Sequence, residues 1–256
     1  MTVSGTARKN HDELFPGRVS TLAVSDPELV EVLDNFAFDE VLRHTSLDTR
    51  TRLMVQLAAL IGARTLSEYR VMLGAALTNG VTPVEAKEIV YQAVLYTGMG
   101  NAFDFIHATN DVLTEHGIEL PLPGQSATPP ATRAQQGRAV QEQIVGADRV
   151  AGMYESAAGD ELHFQQFLSA NCFGDHLTRT GISVPVRELI TFAMLTALGG
   201  CDAQVRGHVV ANLNVGNTRQ DLIGVLTVLV PFIGYPRTLN GLAAINQAAP
   251  ASTEGH

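Results

Sequence analysis

Apolar positions in this chain recur at helical spacing. In the stretch "NGVTPVEAKEIVYQAVLYTG" (79–98), Ile89, Val90, Ala93 and Val94 fall on one stripe. Thr82-Pro83-Val84-Glu85 precedes them as a helix start. Thr82 can cap backbone donors, Pro83 fits the first helical position, and Glu85 completes a capping box. The stretch "VGNTRQDLIGVLTVLVPFIG" (215–234) opens on the same signal at Thr218 and Asp221. It is apolar nearly all round, which predicts deep burial. Gly98 and Gly234 should end these helices. "RELITFAMLTAL" is too long for an ordinary strand and reads as a further helix, and residues 138 to 178 are again helical. The expectation is an all-α protein.

These elements form a repeat. Gly80 matches Gly216, Thr82 matches Thr218, Glu85 matches Asp221, Tyr96 matches Phe232, and Gly98 matches Gly234. Upstream, "LDTRTRLMVQLAALIG" (47–62) resembles "ISVPVRELITFAMLTALG" (182–199), with Arg52 over Arg187. The offset moves from 135 to 136 between the blocks. The expected organisation is a flexible N-terminus over 1–25, a first helical repeat over 26–116, a Pro/Gly/Ser/Thr-rich linker over 117–137, a second repeat over 138–247, and a flexible tail over 248–256.

Composition narrows the function. The formal charge is -9 and the basic residues are scattered, which argues against nucleic acid and anionic membrane as partners. The longest apolar runs reach about a dozen residues, short of the roughly 20 that a membrane span needs. The N-terminus lacks the apolar region of a secretory signal. Two cysteines in 256 residues make no disulfide framework. A cytoplasmic location with free thiols is the expectation.

The candidate chemistry centres on "GGCDAQVRGH" (199–208). Cys201, Gln204 and His208 stand at i, i+3 and i+7, one column of a helix, with the outer two roughly 10 Å apart along its axis. His208 is a candidate general acid or base, because imidazole titrates near neutrality. The bland alternative is a satisfied core histidine. Cys201 follows two glycines and precedes a helix, where the dipole would favour a thiolate. Buried packing is the alternative. Glu188 lies inside an apolar helix beside Arg187, either as a proton carrier with a desolvated carboxyl or as half of an ion pair. Cys172 and His176 lie one helical turn apart and can face the same pocket or merely pack. In the first copy, the cysteine position falls on Thr65 or Leu66 and the histidine position on Met72 or Leu73. Only Glu68 and Tyr69 are polar there. No metal-ligand spacing and no phosphate loop are present.

The motifs "RELITFAMLTALGGCDAQVRGHVVANLNVGNT" and "PFIGYPRTLN" in the second copy, with "NGVTPVEAKEIVYQAVLYTG" and "AFDFIHATND" in the first, resemble the carboxymuconolactone decarboxylase family in tandem form. The resemblance spans about residues 30 to 247. It implies an all-α fold, oligomers built from small helical units, and sites between helices. It also implies one of two chemistries: cofactor-free lactone decarboxylation, or thiol-dependent peroxide reduction. The peroxidase branch carries a Cys-x-x-Cys pair followed by His, with a Glu one helix earlier. Here Cys201, His208 and Glu188 fall on these positions, but Gln204 replaces the second cysteine. That departure weakens a dithiol cycle, which needs a resolving thiol within reach.

The leading expectation is therefore a lyase or isomerase without cofactor or metal, acting on a small carboxylated or lactone metabolite. His208, Glu188 and Cys201 are its catalytic candidates. Gln204, Arg187, Arg206, Glu68, Cys172 and His176 are candidates for substrate contact. A peroxidase using Cys201 and a non-catalytic helical binding module are the alternatives. Single-repeat relatives form rings, so a homotrimer of two-repeat chains is expected, with a dimer as the alternative.

Overall fold

A computed structural model describes residues 2–251, and among them every regular element is helical. The first half comprises α1 (Gly5–Leu14), α2 (Pro27–Asn35), a π-helical and 3-10 segment over residues 36–44, α3 (Thr49–Gly62), α4 (Leu66–Thr78), α5 (Pro83–Thr97) and α6 (Met99–Glu115). The second half comprises α7 (Arg133–Val145), α8 (Ala147–Glu155), α9 (Leu162–Phe167), a π-helical segment (Leu168–Leu177), α10 (Val184–Leu198), α11 (Asp202–Asn214) and α12 (Arg219–Ala248).

The repeat reappears in the helix boundaries. Helices α3 and α10 start at Thr49 and Val184, α4 and α11 at Leu66 and Asp202, and α5 and α12 at Pro83 and Arg219. The local signals behave as the sequence predicts. Thr82 Oγ1 accepts from the Glu85 backbone N–H, and the Glu85 carboxylate accepts from the Thr82 N–H at 2.9 Å. Thr218 and Asp221 make the same reciprocal pair at the start of α12. Gly98 ends α5 at φ 78° and ψ 155°, and Gly234 takes φ 75° and ψ 168°. That conformation favours glycine. It divides α12 into a buried first part and a second part that leaves at an angle. Helix α12 is long and apolar enough to cross a membrane by length and composition alone, and its backbone breaks at Gly234.

Two helices form the centre. Residues Leu53 to Gly62 of α3 and Arg187 to Ala197 of α10 are buried without interruption. Most of their residues are apolar because both sides face protein, with Gln56, Arg187 and Glu188 among the buried polar ones. They approach so closely that a methyl group at Gly62 would collide with the Met194 carbonyl. Each repeat's core borrows from the other's central helix. Ile190 and Met194 of α10 join the first-repeat cluster around Leu53, Tyr69 and Ile89. Val55 and Ala59 of α3 join the second-repeat cluster around Phe192, Val225 and Leu229. Burial stabilises by roughly 1.5–3 kcal/mol for each large side chain, and here much of it is shared, so the repeats are fused.

A buried polar network crosses the same seam. Arg187 donates to Glu88 Oε2 at 2.8 Å, to Gln92 Oε1 at 3.0 Å and to the carbonyls of Arg179 and Thr180. Arg179 clamps the same Glu88 through two nitrogens. Gln92 in turn donates to the Arg187 carbonyl and to Thr191 Oγ1. The Glu88 and Arg187 side chains are 1% and 2% exposed, so water cannot substitute for either partner.

Two expectations need correction. The N-terminus is not a flexible arm. Residues 5–14 form α1, capped by Ser4, and Ala7, Leu14 and Phe15 are buried. Their apolar spacing anchors the segment against the first repeat. The linker also ends earlier than expected, because α7 begins at Arg133. Of the expected tail, residues 252–256 lie outside the described residues, as does Met1.

Candidate active site

Four elements meet where the catalytic candidates lie. Helix α10 supplies Glu188, α11 supplies His208, α5 supplies Tyr96, and the π-helical segment supplies Cys172. The central contact is between His208 Nδ1 and Glu188 Oε2, at 2.8 Å. Glu188 is fully buried, and its side chain reaches the imidazole from within the core. The His208 side chain is 20% exposed. Its Nδ1 faces the carboxylate, which leaves Nε2 as the nitrogen for a substrate. Asn212 holds the two helices in this register, since its amide donates to the Glu188 carbonyl at 3.1 Å and to the His208 carbonyl at 2.7 Å. Asn212 is itself fully buried, and its oxygen accepts from Asn217.

The second carboxyl oxygen, Glu188 Oε1, is buried without a hydrogen-bond partner. A desolvated oxygen of this kind is costly to leave unpaired, and it marks the pair as a place for a proton or a polar substrate atom. The neighbours register its charge. Burial, then the nearby Cys172 and Glu188, push the Tyr96 hydroxyl well above its ordinary value. Burial and Glu188 push the Cys172 thiol up to about 12. The Tyr96 ring meets the His208 ring edge-on, with centroids 5.7 Å apart and planes at 82°. It fixes the imidazole plane from the first repeat.

The other candidates are placed as follows. Cys201 is the N-cap of α11, where its carbonyl accepts from the Val205 N–H, but its side chain makes no capping bond and its thiol donates to the Leu195 carbonyl at 3.3 Å. Burial and the adjacent Asp202 push its pKa up, so the expected dipole-stabilised thiolate is corrected to a protonated thiol. Arg187 faces no solvent, because its side chain is 2% exposed and both of its terminal nitrogens are engaged within the Glu88 network. The Glu188–Arg187 pair considered in the sequence is likewise replaced by Glu188–His208 and Glu88–Arg187. Gln204 and Arg206 are exposed on α11.

Cys172 and His176 attend different clusters. Cys172 lies by Glu188 and Tyr96. His176 is driven to the neutral form by burial and by Arg179, with Arg187 adding to the effect. The turn between them is π-helical, with i to i+5 bonding, and does not stack i and i+4 as an α-helix does. Glu68 stands apart, at the mouth of a first-repeat cavity. Sequence reasoning missed Tyr96 and Asn212. The Tyr96–Phe232 match was a usable signal for the first, since one copy keeps a hydroxyl that the other lacks.

Comparisons with known proteins agree with this architecture. The sequence profile of the Carboxymuconolactone decarboxylase family matches residues 27–111 and again residues 163–247, more than half of the chain. A 4-carboxymuconolactone decarboxylase from Acinetobacter baylyi is 33% identical over 86 residues, which cover 34% of this chain and 64% of that protein. The chain thus spans just under two thirds of that relative's length. A solved chain from Burkholderia xenovorans, described as a gamma-carboxymuconolactone decarboxylase subunit, superposes with a TM-score of 0.52 at 22% identity. It covers 95% of this chain and 98% of its own, and establishes likeness of fold. With the family profile matched in each half, the chain belongs to the carboxymuconolactone decarboxylase family and carries the family's domain twice.

Proposed function

We propose that this protein is a carboxy-lyase that decarboxylates a small lactone or carboxylated metabolite by acid–base catalysis without a cofactor, with His208 as the proton donor. The observation that carries this reading is the 2.8 Å contact from His208 to a fully buried Glu188. Decarboxylation breaks the bond from carbon to the carboxylate. Carbon dioxide leaves, and the bonding electron pair passes into the adjoining conjugated carbonyl. The resulting enolate needs one proton at carbon. His208, protonated at both nitrogens, gives the proton from Nε2 while Nδ1–H stays on Glu188. The neutral imidazole then recovers a proton from water. Glu188 orients the ring and stabilises its cation, as a buried carboxylate does for a catalytic histidine.

Two features disfavour the thiol alternative. Gln204 removes the second cysteine, and both thiols are held protonated near neutrality. The reading includes a cytoplasmic location. It also includes a homotrimer, supported by equivalent exposed apolar positions in the two repeats. Met99 and Phe103 at the start of α6 are 51% and 49% exposed, and their counterparts Tyr235 and Leu239 beyond Gly234 are 62% and 57% exposed.

The experiment is turnover of 4-carboxymuconolactone, the compound named for the relative, followed by carbon dioxide release. Activity that survives Cys201→Ser and collapses in His208→Ala supports the proposal. Activity lost with Cys201→Ser and kept with His208→Ala would replace it with thiol chemistry.

A further inference from the structure

The catalytic candidates occupy only the second repeat, and a separate cavity in the first repeat has the counterpart of His208 in its wall. A cavity of about 510 Å³ opens beside α4, within the usual range for small-molecule sites. Its wall includes Met72 and Phe232. At an offset of 136, Met72 is the counterpart of His208 and Phe232 that of Tyr96; at 135, Leu53 is the counterpart of Glu188. Each group that handles a proton or fixes the imidazole in the second repeat is replaced here by an apolar side chain.

The lining indicates what fits. Phe15 and Phe38 stand edge-to-face with centroids 6.0 Å apart, and His11 packs against both, tilted on Phe15 and edge-on to Phe38. With Phe232 also in the wall, the cavity is lined by three phenylalanine rings and one imidazole. The chain after α1 covers it with Thr21 and Leu22, and Leu22 remains 42% exposed. The mouth carries two carboxyls, Asp34 and Glu68, against one arginine, Arg18. Burial raises the pKa of both carboxyls, with Arg18 moderating Glu68 and His11 moderating Asp34. A further anionic group would meet unfavourable charge and desolvation there.

We propose that this first-repeat cavity is a second, non-catalytic binding site for an uncharged aromatic molecule of one or two rings. It is independent of the decarboxylation reading, because none of the residues proposed for that chemistry lines it.

The test is equilibrium dialysis of the full chain with indole, read by indole fluorescence, since the chain contains no tryptophan. The expected result is saturable uptake of about one indole per chain. Two variants fill the cavity from different walls, Ala37→Leu and Val71→Phe. Whichever keeps the wild-type circular dichroism and melting temperature should weaken uptake at least about tenfold. His208→Ala should leave uptake unchanged. Indole-3-acetate, the carboxylate version of the probe, should bind at least about tenfold more weakly than indole. Unsaturable or undetectable uptake by the wild type up to millimolar indole overturns the site, as does uptake lost in His208→Ala and kept in the cavity-filling variants. Equal binding of indole and indole-3-acetate overturns the assigned ligand class. Decarboxylase turnover is measured separately, so failure of one proposal is distinguishable from failure of the other.

Discussion

Glu188 and His208 stand on successive helices, and their side chains meet at 2.8 Å with the carboxylate wholly inside the protein. Removing the imidazole leaves a buried carboxyl with neither oxygen partnered and no proton to deliver. His208→Ala should lower kcat by about 100-fold or more. Glu188→Gln keeps an oxygen for Nδ1–H but removes the charge that steadies the imidazolium. It should lower kcat on the order of tenfold with little change in KM. Steady-state kinetics on 4-carboxymuconolactone provide the check. A larger effect of Glu188→Gln on KM than on kcat would place the carboxyl in substrate binding instead.

Cys172 gives a pH signature. Its thiol is pushed from an ordinary 9.0 up to about 12 in the fold, so the folded chain holds this proton more tightly than the unfolded one. The contribution to stability is complete below about pH 9 and is lost as pH rises toward 12. Tyr96, raised in the same direction by burial, steepens the loss. Urea midpoints measured from pH 7 to 11 should fall, and Cys172→Ala should flatten part of that fall. A midpoint that rises with pH contradicts the assignment.

The Glu88–Arg187 pair should matter for stability more than for chemistry. Arg187→Met removes one of the two guanidinium partners of a carboxylate that is 1% exposed, while Arg179 keeps its clamp on the other side. The expected cost is about 1–3 kcal/mol in denaturant titration. The double change Glu88→Gln with Arg187→Met should recover part of this. A variant that folds should keep the wild-type KM, because the Arg187 side chain is 2% exposed and presents no donor to solvent or to a substrate carboxylate.

The assembly proposal is tested by light scattering at micromolar concentration, where a mass of three chains is expected. Phe103→Glu with Tyr235→Glu places charge on both equivalent faces and should shift the mass to that of a single chain. A wild-type protein that is already monomeric contradicts the proposal.

The helices were legible because their signals are local. Thr82-Pro83-Val84-Glu85, Thr218 and the glycines at 98 and 234 each act within a few residues, and all behave as read. His208 and Glu188 were legible as candidates through their types and positions. Their contact was not, because it depends on how α10 meets α11, and Asn212 sets that through two backbone carbonyls. The role of Arg187 was misjudged for the same reason. Its partner Glu88 lies 99 residues away, and no local pattern distinguishes it from the adjacent Glu188. The ordered N-terminus escaped notice because α1 is mostly polar. Only three positions over residues 7–15 reach the core.

Tyr96 comes from one copy of the repeat, while Glu188 and His208 come from the other. The smallest unit that can carry the proposed reaction is therefore the whole duplicated chain. A polypeptide cut between residues 117 and 132 should yield two inert fragments, with activity returning only when both are mixed and re-associate. In evolutionary terms, loss of either half is not a return to a simpler enzyme, because the surviving half would keep one side of a site whose other side had become part of its sibling.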